Sequence, residues 1–373
     1  MASETLENDT ESKVQTEVNI EDLSGDSFCE LDPLAPDDLP PNLAKDISFL
    51  LRYDIYHSLS QVDIPPALRS EFIGIKPDEP LSATLGTLEK QLAEGHFLLA
   101  AYLCSTILTS SSISSTDTKL AFALFYTRLA CLELSGHAII AAQESKALED
   151  LNSAFYYVDL SNTASTSHDD ETAEQNHPRI LRHIVPWPLR ILAVRLQSIG
   201  FGDSRRGIGG LYEIGLEAWR EVMRPDISRE EKVIWKGRLE DLGIRSVNAL
   251  IEMGDFDAAQ RSLQNMRTSG PGSDRNNMRK VLLFLLIGDL DGAKQVFDQS
   301  GQSEEALLRP LLSMAEGDYK DAVTQWRNLL ESQPNRPDEA MISQNLAVCF
   351  LYTGQLNEVR NAITPLLQLV LTF

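Results

Sequence analysis

The sequence contains little cysteine and no long apolar run. Its 373 residues include four cysteines, Cys29, Cys104, Cys131 and Cys349. These are widely separated and form no Cys-x-x-Cys pair, which disfavours a disulfide framework or a zinc site and favours a reducing cytosolic compartment. No stretch approaches about 18 consecutive apolar residues, so we expect no transmembrane helix and no direct insertion into a membrane.

Positive charge is also scarce, with 33 lysines and arginines against 55 acidic residues and a formal net charge of −22. Nucleic acids and anionic lipid headgroups repel such a chain, so we expect it to bind neither directly. The clearest basic cluster, Arg205 and Arg206, is too small to reverse this balance. The first residues, MASETLENDTESKVQ, lack a basic start and an apolar core, so we expect neither a signal peptide nor an Arg-rich transit peptide.

The acidic excess is concentrated at the N-terminus. Residues 1–40 contain twelve acidic residues and a single base, Lys13. The segment is polar and poor in aromatic residues, so it cannot bury enough apolar surface to offset the entropy of the chain. We therefore predict that residues 1–40 are a disordered acidic tail, which either keeps the protein soluble or contains a short partner-binding motif.

The rest of the chain divides by composition into three parts. Residues 41–160 are predicted to be an N-terminal helical region with degenerate helical hairpins, residues 161–178 a flexible insertion, and residues 179–373 a domain of helical repeats. No convincing strand pattern is present, and the nearest candidate is AFYYVDL, around Phe155. The helical region begins with apolar residues at helical spacing, which are Ile47, Leu50, Leu51, Ile55 and Leu59.

A short motif recurs in the second half of the chain, a glycine followed five residues later by a small residue. The clear copies are Gly254 with Ala259, Gly288 with Ala293, Gly317 with Ala322 and, with a larger valine, Gly354 with Val359. Successive glycines in this set lie 34, 29 and 37 residues apart. Weaker copies begin at Gly95, Gly136 and Gly202. A period of about 34 residues is typical of tetratricopeptide (TPR) repeats, which are pairs of helices.

The chemistry of the motif explains why it would join two helices. Glycine accepts the left-handed conformation that ends the first helix, and the aspartate that often follows can cap the second. We expect Tyr319, Phe256 or Leu290 to fill the apolar space beside its turn, and the alanine to let the two helices cross closely. The sequence therefore predicts an all-α, TPR-type solenoid, a right-handed superhelix of helix-turn-helix repeats. A bulky apolar residue follows each clear glycine after nine positions, namely Leu263, Phe297, Trp326 and Ile363.

Residue types that usually form metal or catalytic sites lack the necessary spacing. The six histidines show no His-Glu-x-x-His motif or other ligand spacing. The aspartates of the Gly-Asp turns occur once per repeat, too far apart to act as a catalytic pair. We therefore expect no enzyme activity, no metal or other cofactor, and no small-molecule substrate. Stacked helical repeats bind other proteins, so interaction is the expected function.

Three residues are candidates for partner binding. Asn248 and Asn345 fall on the first helices of predicted repeats, where some TPR proteins bind a C-terminal carboxylate, and Arg279 is a further candidate. In those proteins a lysine lies four residues before the asparagine, but this chain has Ile244 at that position. The sequence therefore disfavours a cochaperone of the carboxylate-clamp type.

Three stretches of the chain resemble one known family, subunit 12 of the transport protein particle (TRAPP) complex. The first is GDYKDAVTQWRNLLESQPNRPDEAMISQNLAVCFLYTGQLNEVRNAITPLL, and the second is IWKGRLEDLGIRSVNALIEMGDF. The third joins SAFYYVDLSN to HIVPWPLRILAVRLQ, where a Phe-Tyr-rich segment is followed by a proline–aromatic helix start. The residues that match the family pattern NNxAVCLLYxGxL are Asn345, Ala347, Val348, Cys349, Leu351, Tyr352, Gly354 and Leu356.

The resemblance implies a scaffold subunit of a vesicle-tethering complex that acts in transport from the endoplasmic reticulum (ER) to the Golgi and is also linked to autophagy. In that complex other subunits activate a Rab-type GTPase by nucleotide exchange, and subunits 11 and 13 and the core are the implied partners. The protein would be cytoplasmic and associated peripherally with Golgi or ER–Golgi membranes through the complex. The alternatives are a different cytosolic TPR adaptor, such as a cochaperone, and an enzyme built on a helical scaffold.

The chain also departs from this family. The insertion at residues 161–178 matches no feature of the family pattern, and similar proteins continue with further helix beyond the position of Phe373. We expect either that the chain is truncated there or that a partner covers its apolar last helix, TPLLQLVLTF.

Overall fold

The described part of the chain is mainly α-helical with little strand, as the sequence predicts. The computed structural model describes residues 31–36, 39, 43–60, 62, 64, 80–159, 181–266, 273–299, 305–332 and 338–371. The α-helices within these residues are α1 (Leu81–Ala93), α2 (Phe97–Thr109), α3 (Thr118–Leu134), α4 (Ala138–Glu144), α5 (Trp187–Phe201), α6 (Ser204–Met223), α7 (Arg229–Glu252), α8 (Phe256–Asn265), α9 (Ser273–Ile287), α10 (Leu290–Gln299), α11 (Glu305–Glu316), α12 (Tyr319–Ser332), α13 (Glu339–Tyr352) and α14 (Leu356–Leu371).

Consecutive helices are joined in pairs by one recurring turn. A glycine in the left-handed conformation ends the first helix of each pair, with φ between 62° and 88°. The next residue donates its N–H to the carbonyl five residues earlier, as Asp318 does to Ser313 at 2.9 Å. A Cβ would strain this backbone, which is why glycine occupies the position. The glycines of these turns are Gly95, Gly136, Gly202, Gly254, Gly288, Gly317 and Gly354.

Aspartate caps the second helix in several of these pairs. The Asp318 carboxylate accepts the Asp321 N–H at 3.2 Å, and Asp255 accepts the Ala258 N–H at 3.1 Å. Each cap satisfies an N–H that has no partner within its own helix. Asp289 caps α10 in the same way, and Asp203 accepts the N–H of Arg205, two residues further on, at the start of α6.

The residue five positions after the turn glycine lies where the two helices of a pair cross. Ala259, Ala293 and Ala322 are completely buried there. In the α5–α6 pair this position is Gly207, and a Cβ added to it would lie 2.7 Å from the Ser198 Cβ. A small residue is therefore required because the packed helices leave no room for a larger one.

The aromatic residue after the turn does not always fill the turn. Tyr319 stacks on Tyr352, with ring centroids 4.3 Å apart, so it contacts α13 of the following pair. Phe256 is 48% exposed, and the expectation that it fills its turn is wrong. Leu290 packs, partly buried, against the apolar cluster of α7–α10.

The helix pairs follow one another in chain order. The second helix of each pair contacts the first helix of the next, from α2 with α3 through to α12 with α13. First helices of neighbouring pairs also touch where α5 meets α3 and where α9 meets α7 and α11. The buried apolar clusters succeed each other along this series, around Phe125, Trp187, Phe284 and Trp326.

Residues 43–60 do not form the α-helix that their apolar spacing favours. They contain two single turns of 3-10 helix, Ser48–Leu50 and Tyr53–Ile55, separated by extended backbone. Ile47 is completely buried, and its N–H donates to the Ser115 carbonyl at 2.9 Å. Contacts with the helical core therefore replace the hydrogen bonds that a continuous helix would have made.

Part of the predicted disordered tail is packed against the helices. Asp32 accepts the Trp187 N–H at 2.9 Å and forms an ion pair with Arg238. The prediction of disorder is therefore wrong for residues 31–36. Residues 1–30 lie outside the described residues.

Two short strands pair where the sequence showed no convincing strand. They are β1 (Tyr157–Asp159) and β2 (Leu181–His183), which run antiparallel with Tyr157 opposite His183. The first lies within AFYYVDL, the nearest strand candidate in the sequence. The predicted insertion at residues 161–178 falls between the two strands and lies outside the described residues.

The close packing of α11 and α12 at Ala322 predicts that a large side chain at this position destabilises the fold. Ala322→Trp should lower the free energy of unfolding by at least about 1–3 kcal/mol, because a large ring cannot fit where α11 and α12 cross. Chemical denaturation followed by circular dichroism measures this change. The control is Asn328→Trp at an exposed position on α12. Equal unfolding free energies for the two variants would contradict the crossing role.

Candidate functional site

A cavity of about 350 Å³ lies among the first helices α5, α7 and α9, with the start of α6 at its side. Three successive helix pairs form its walls, so the cavity exists only where these pairs pack together. The apolar side chains that line it are Ile191, Val194, Leu211, Ile244, Leu282 and Leu283. The principal polar side chains are Arg195, Arg245, Asn248, Glu252 and Arg279.

Arg195 links three helices at the edge of the cavity. It forms ion pairs with Glu133 at the end of α3 and with Glu252 at the end of α7, the latter at 3.3 Å. Burial alone would lower the pKa of Arg195, but the two carboxylates outweigh this effect and raise it. The guanidinium is therefore charged and is held in place by carboxylates from both neighbouring pairs.

A second ionic group joins α7 to α9. Asp241 accepts hydrogen bonds from Arg245 at 2.5 Å and from Arg279 at 2.6 Å. Burial alone would raise the pKa of Asp241, but the two arginines hold it below its ordinary value. Two guanidinium groups share one carboxylate, so this side of the cavity has an excess of positive charge.

The structure brings together two of the three predicted partner-binding residues. Asn248 and Arg279 both line the cavity, and the Asn248 amide donates to the Glu252 carboxylate at 2.9 Å. Asn345 lies on α13, where its amide contacts the Met341 sulfur, and it is not among the cavity residues. The three residues therefore do not form one site.

Sequence reasoning missed most of the polar lining. Arg245 lies three residues before Asn248 and Glu252 four residues after it, so their common helix face could have been recognised from spacing. Arg195 and its partner Glu133 could not have been recognised from spacing, because they belong to other helix pairs. Only the packing of those pairs brings them to the cavity.

The described residues contain neither a metal-binding cluster nor a membrane-spanning helix. Within the described ranges, no group of three or more histidine, cysteine or acidic side chains is close enough to hold a metal ion. Cys104, Cys131 and Cys349 are buried free thiols, and burial raises the pKa of Cys131 to about 12. In the described part of the chain, no helix combines the length and apolarity needed to cross a membrane. Apolar contact, hydrogen bonding and ion pairing are the interactions that the cavity offers.

No family model matches the sequence, and no curated protein matches it. The resemblance to the TRAPP subunit 12 family therefore rests on the sequence motifs alone.

Proposed function

We propose that this chain is a non-catalytic scaffold or adaptor whose helix pairs form a TPR-type right-handed solenoid. The observation that supports this most directly is the recurrence of one turn at Gly95, Gly136, Gly202, Gly254, Gly288, Gly317 and Gly354. The contact of each second helix with the next first helix is the packing expected of such a solenoid. A solenoid presents an extended surface for other proteins.

The sequence motifs support a more specific proposal, that the scaffold is a subunit of a TRAPP-type vesicle-tethering complex. It would act in transport from the ER to the Golgi, with a further role in autophagy. Its partners would be subunits 11 and 13 and the core of that complex. The protein would be cytoplasmic and would associate with Golgi or ER–Golgi membranes through the complex, while nucleotide exchange belongs to other subunits.

The cavity among α5, α7 and α9 is the partner-binding surface in this proposal. It combines an apolar floor with Asn248 and with the guanidinium groups of Arg245 and Arg279, which share Asp241. A peptide could place an apolar side chain on that floor while its backbone or a carboxylate met these polar groups. Ile244 occupies the position of the lysine in a carboxylate clamp. It is buried and apolar, and it forms part of the cavity floor.

Affinity purification with quantitative mass spectrometry tests the proposal. The tagged full chain should recover tethering-complex core subunits together with subunits 11 and 13. The double variant Asn248→Ala/Arg279→Ala should recover several-fold less of them, whereas Asn345→Ala, outside the cavity, should recover the wild-type amount. Circular dichroism must show that all three proteins are equally folded.

The outcomes separate the parts of the proposal. Recovery of chaperones without tethering subunits would indicate the alternative, a different TPR adaptor or cochaperone. Recovery of no tethering subunit by the wild-type chain would contradict the TRAPP assignment. Equal recovery by the cavity variant and Asn345→Ala would contradict the role of the cavity alone.

A further inference from the structure

A second, more open groove lies on α6 and α7 beside the short helix α8, with a volume of about 910 Å³. The helix α7 has 24 residues and α8 has 10. At 1.5 Å per residue these lengths are about 36 Å and about 15 Å, so α8 covers less than half of α7. The groove is the surface of α6 and α7 that the shorter helix leaves open.

One wall of this groove is an unusually apolar stripe on α6. Tyr212, Leu216, Trp219 and Met223 follow one another at helical spacing, and each is between 50% and 61% exposed. The first three line the groove, and Met223 continues the stripe towards the end of α6. Contiguous large apolar side chains on a surface indicate a site that another segment covers.

The one charged side chain among the described lining residues is a cation, and two more cations follow on the same face of α7 beyond the lining. Arg261 of α8 lines the groove, and Lys232 and Lys236 lie on the face of α7 that includes the lining residues Leu239 and Gly243. The three cations are exposed, and none forms an ion pair with an acidic residue in the described part of the chain. In a chain with a net charge of −22, this local positive charge favours an acidic occupant.

We propose that the groove binds the chain's own N-terminal segment at residues 17–23, EVNIEDL. Residues 1–30 contain nine acidic residues and one base, and this stretch places three acids among Val18, Ile20 and Leu23. The apolar side chains would lie on the α6 stripe, and the acids would face the lysines and Arg261. Sequence and surface are complementary in both apolarity and charge.

Residues 17–23 are close enough in sequence to a fixed point of the fold to reach the groove. Asp32 is fixed to α5 and α7 through the Trp187 N–H and Arg238. The nine residues from Leu23 to Asp32 can span about 30 Å. Half the circumference of a helix with its side chains is only about 16–19 Å, so the segment can pass around α7 to the groove. Such a tether gives an effective concentration of about millimolar, which favours the attached segment over a free competitor.

The consequence is that the N-terminal segment shields an apolar docking surface. An acidic partner segment could reach the α6 stripe only by displacing residues 17–23. This arrangement is separate from the cavity among α5, α7 and α9, and it does not depend on the identity of the partner complex.

Quenching of tryptophan fluorescence by acrylamide tests the proposal in the full-length chain. Trp219 is half exposed, whereas Trp187, Trp235 and Trp326 are buried. Subtracting the signal of a Trp219→Phe variant therefore isolates Trp219. Replacing Val18, Ile20 and Leu23 together by serine should raise the quenching constant of Trp219 several-fold, while the circular dichroism of the helices stays unchanged.

Exchanging the charges of the groove and of the N-terminal segment tests whether the two attract each other. Reversing Lys232, Lys236 and Arg261 to glutamate should expose Trp219, and adding Glu17→Lys, Glu21→Lys and Asp22→Lys should restore its protection. Lys320→Glu, an exposed site on α12, is the control and should leave Trp219 protected.

Three outcomes would overturn the proposal. The first is equal quenching of Trp219 in the wild-type chain and in the serine variant, which would mean that the groove is open to a partner. The second is failure of the charge exchange to restore protection. The third is protection that rises with protein concentration, which would identify a second copy as the occupant.

Discussion

Replacing Glu144 with alanine is expected to lower the free energy of unfolding by about 3–5 kcal/mol, because it leaves a buried arginine without its counter-ion. The side chains of Arg128 and Glu144 are both completely buried. Their contact is bidentate, with the two N–H···O distances at 2.6 Å. Chemical denaturation of the variant and the wild-type protein measures the difference.

This ion pair also holds residues 43–60 against the helices. Arg128 donates to the carbonyl of Ala101 at 2.8 Å and to the carbonyl of His57 at 3.0 Å, and Glu144 accepts the His57 N–H at 2.8 Å. Loss of the carboxylate removes one of these bonds and releases the arginine that makes the others. We therefore expect the His57 amide to exchange with solvent much faster in the Glu144→Ala variant.

Two control variants separate the buried charge from general damage. The double variant Arg128→Met/Glu144→Leu replaces the pair with apolar groups and should recover much of the lost stability. Asp54→Ala removes the carboxylate from an exposed ion pair with Arg52 and should leave the unfolding free energy nearly unchanged. Equal effects of Asp54→Ala and Glu144→Ala would show that burial is not the cause.

The turns of the array could be predicted from the sequence because their chemistry is local. Gly317 must adopt φ 85°, Asp318 caps the helix that follows, and Ala322 is completely buried at the crossing. Each requirement acts within six residues, so it leaves a fixed pattern in the sequence. The same pattern at Gly95 and Gly136 is weaker because histidine replaces the capping aspartate.

The cavity and the conformation of residues 43–60 could not be predicted in this way. Arg195 reaches Glu133 across 62 residues of chain, and Arg128 reaches the His57 carbonyl across 71. Helical spacing identifies the face of a helix on which a residue lies, but it does not identify the helix that will pack there. Ile47 and Leu50 have the spacing of a helix face, yet they lie in a segment with only single turns and are buried against the helical core.

The contacts of Asp32 could not be predicted from the sequence either, because composition predicts that its segment is a disordered tail. The surrounding sequence is acidic and rich in proline, but the Asp32 carboxylate reaches the first N–H of α5, which is 155 residues away in sequence. Its partner Arg238 lies between two indole rings, 4.7 Å from the centroid of Trp187 and 4.4 Å from that of Trp235. A buried cation needs a counter-ion, and the Asp32 carboxylate provides it.

Replacing Asp32 with alanine is therefore expected to lower the free energy of unfolding by about 3–5 kcal/mol, because Arg238 loses the anion that compensates its burial. Burial already holds the pKa of Arg238 below its ordinary value, and Asp32 is the group that opposes this shift most strongly. The substitution also removes the acceptor of the Trp187 N–H at the start of α5, which adds about 1 kcal/mol. Urea denaturation and hydrogen exchange at the Trp187 amide measure the two contributions.

A matched pair of variants separates charge from hydrogen bonding at this position. Asp32→Asn keeps an oxygen that can accept the Trp187 N–H but removes the negative charge, so it should protect that amide while still destabilising the fold. Asp32→Ala/Arg238→Met removes both charges and should be more stable than Asp32→Ala alone. If Asp32→Ala and the wild-type chain unfolded at the same urea concentration, residues 31–36 would not be a structural part of the array. In that case the tether that places the N-terminal segment near the α6 groove would also be lost as an argument.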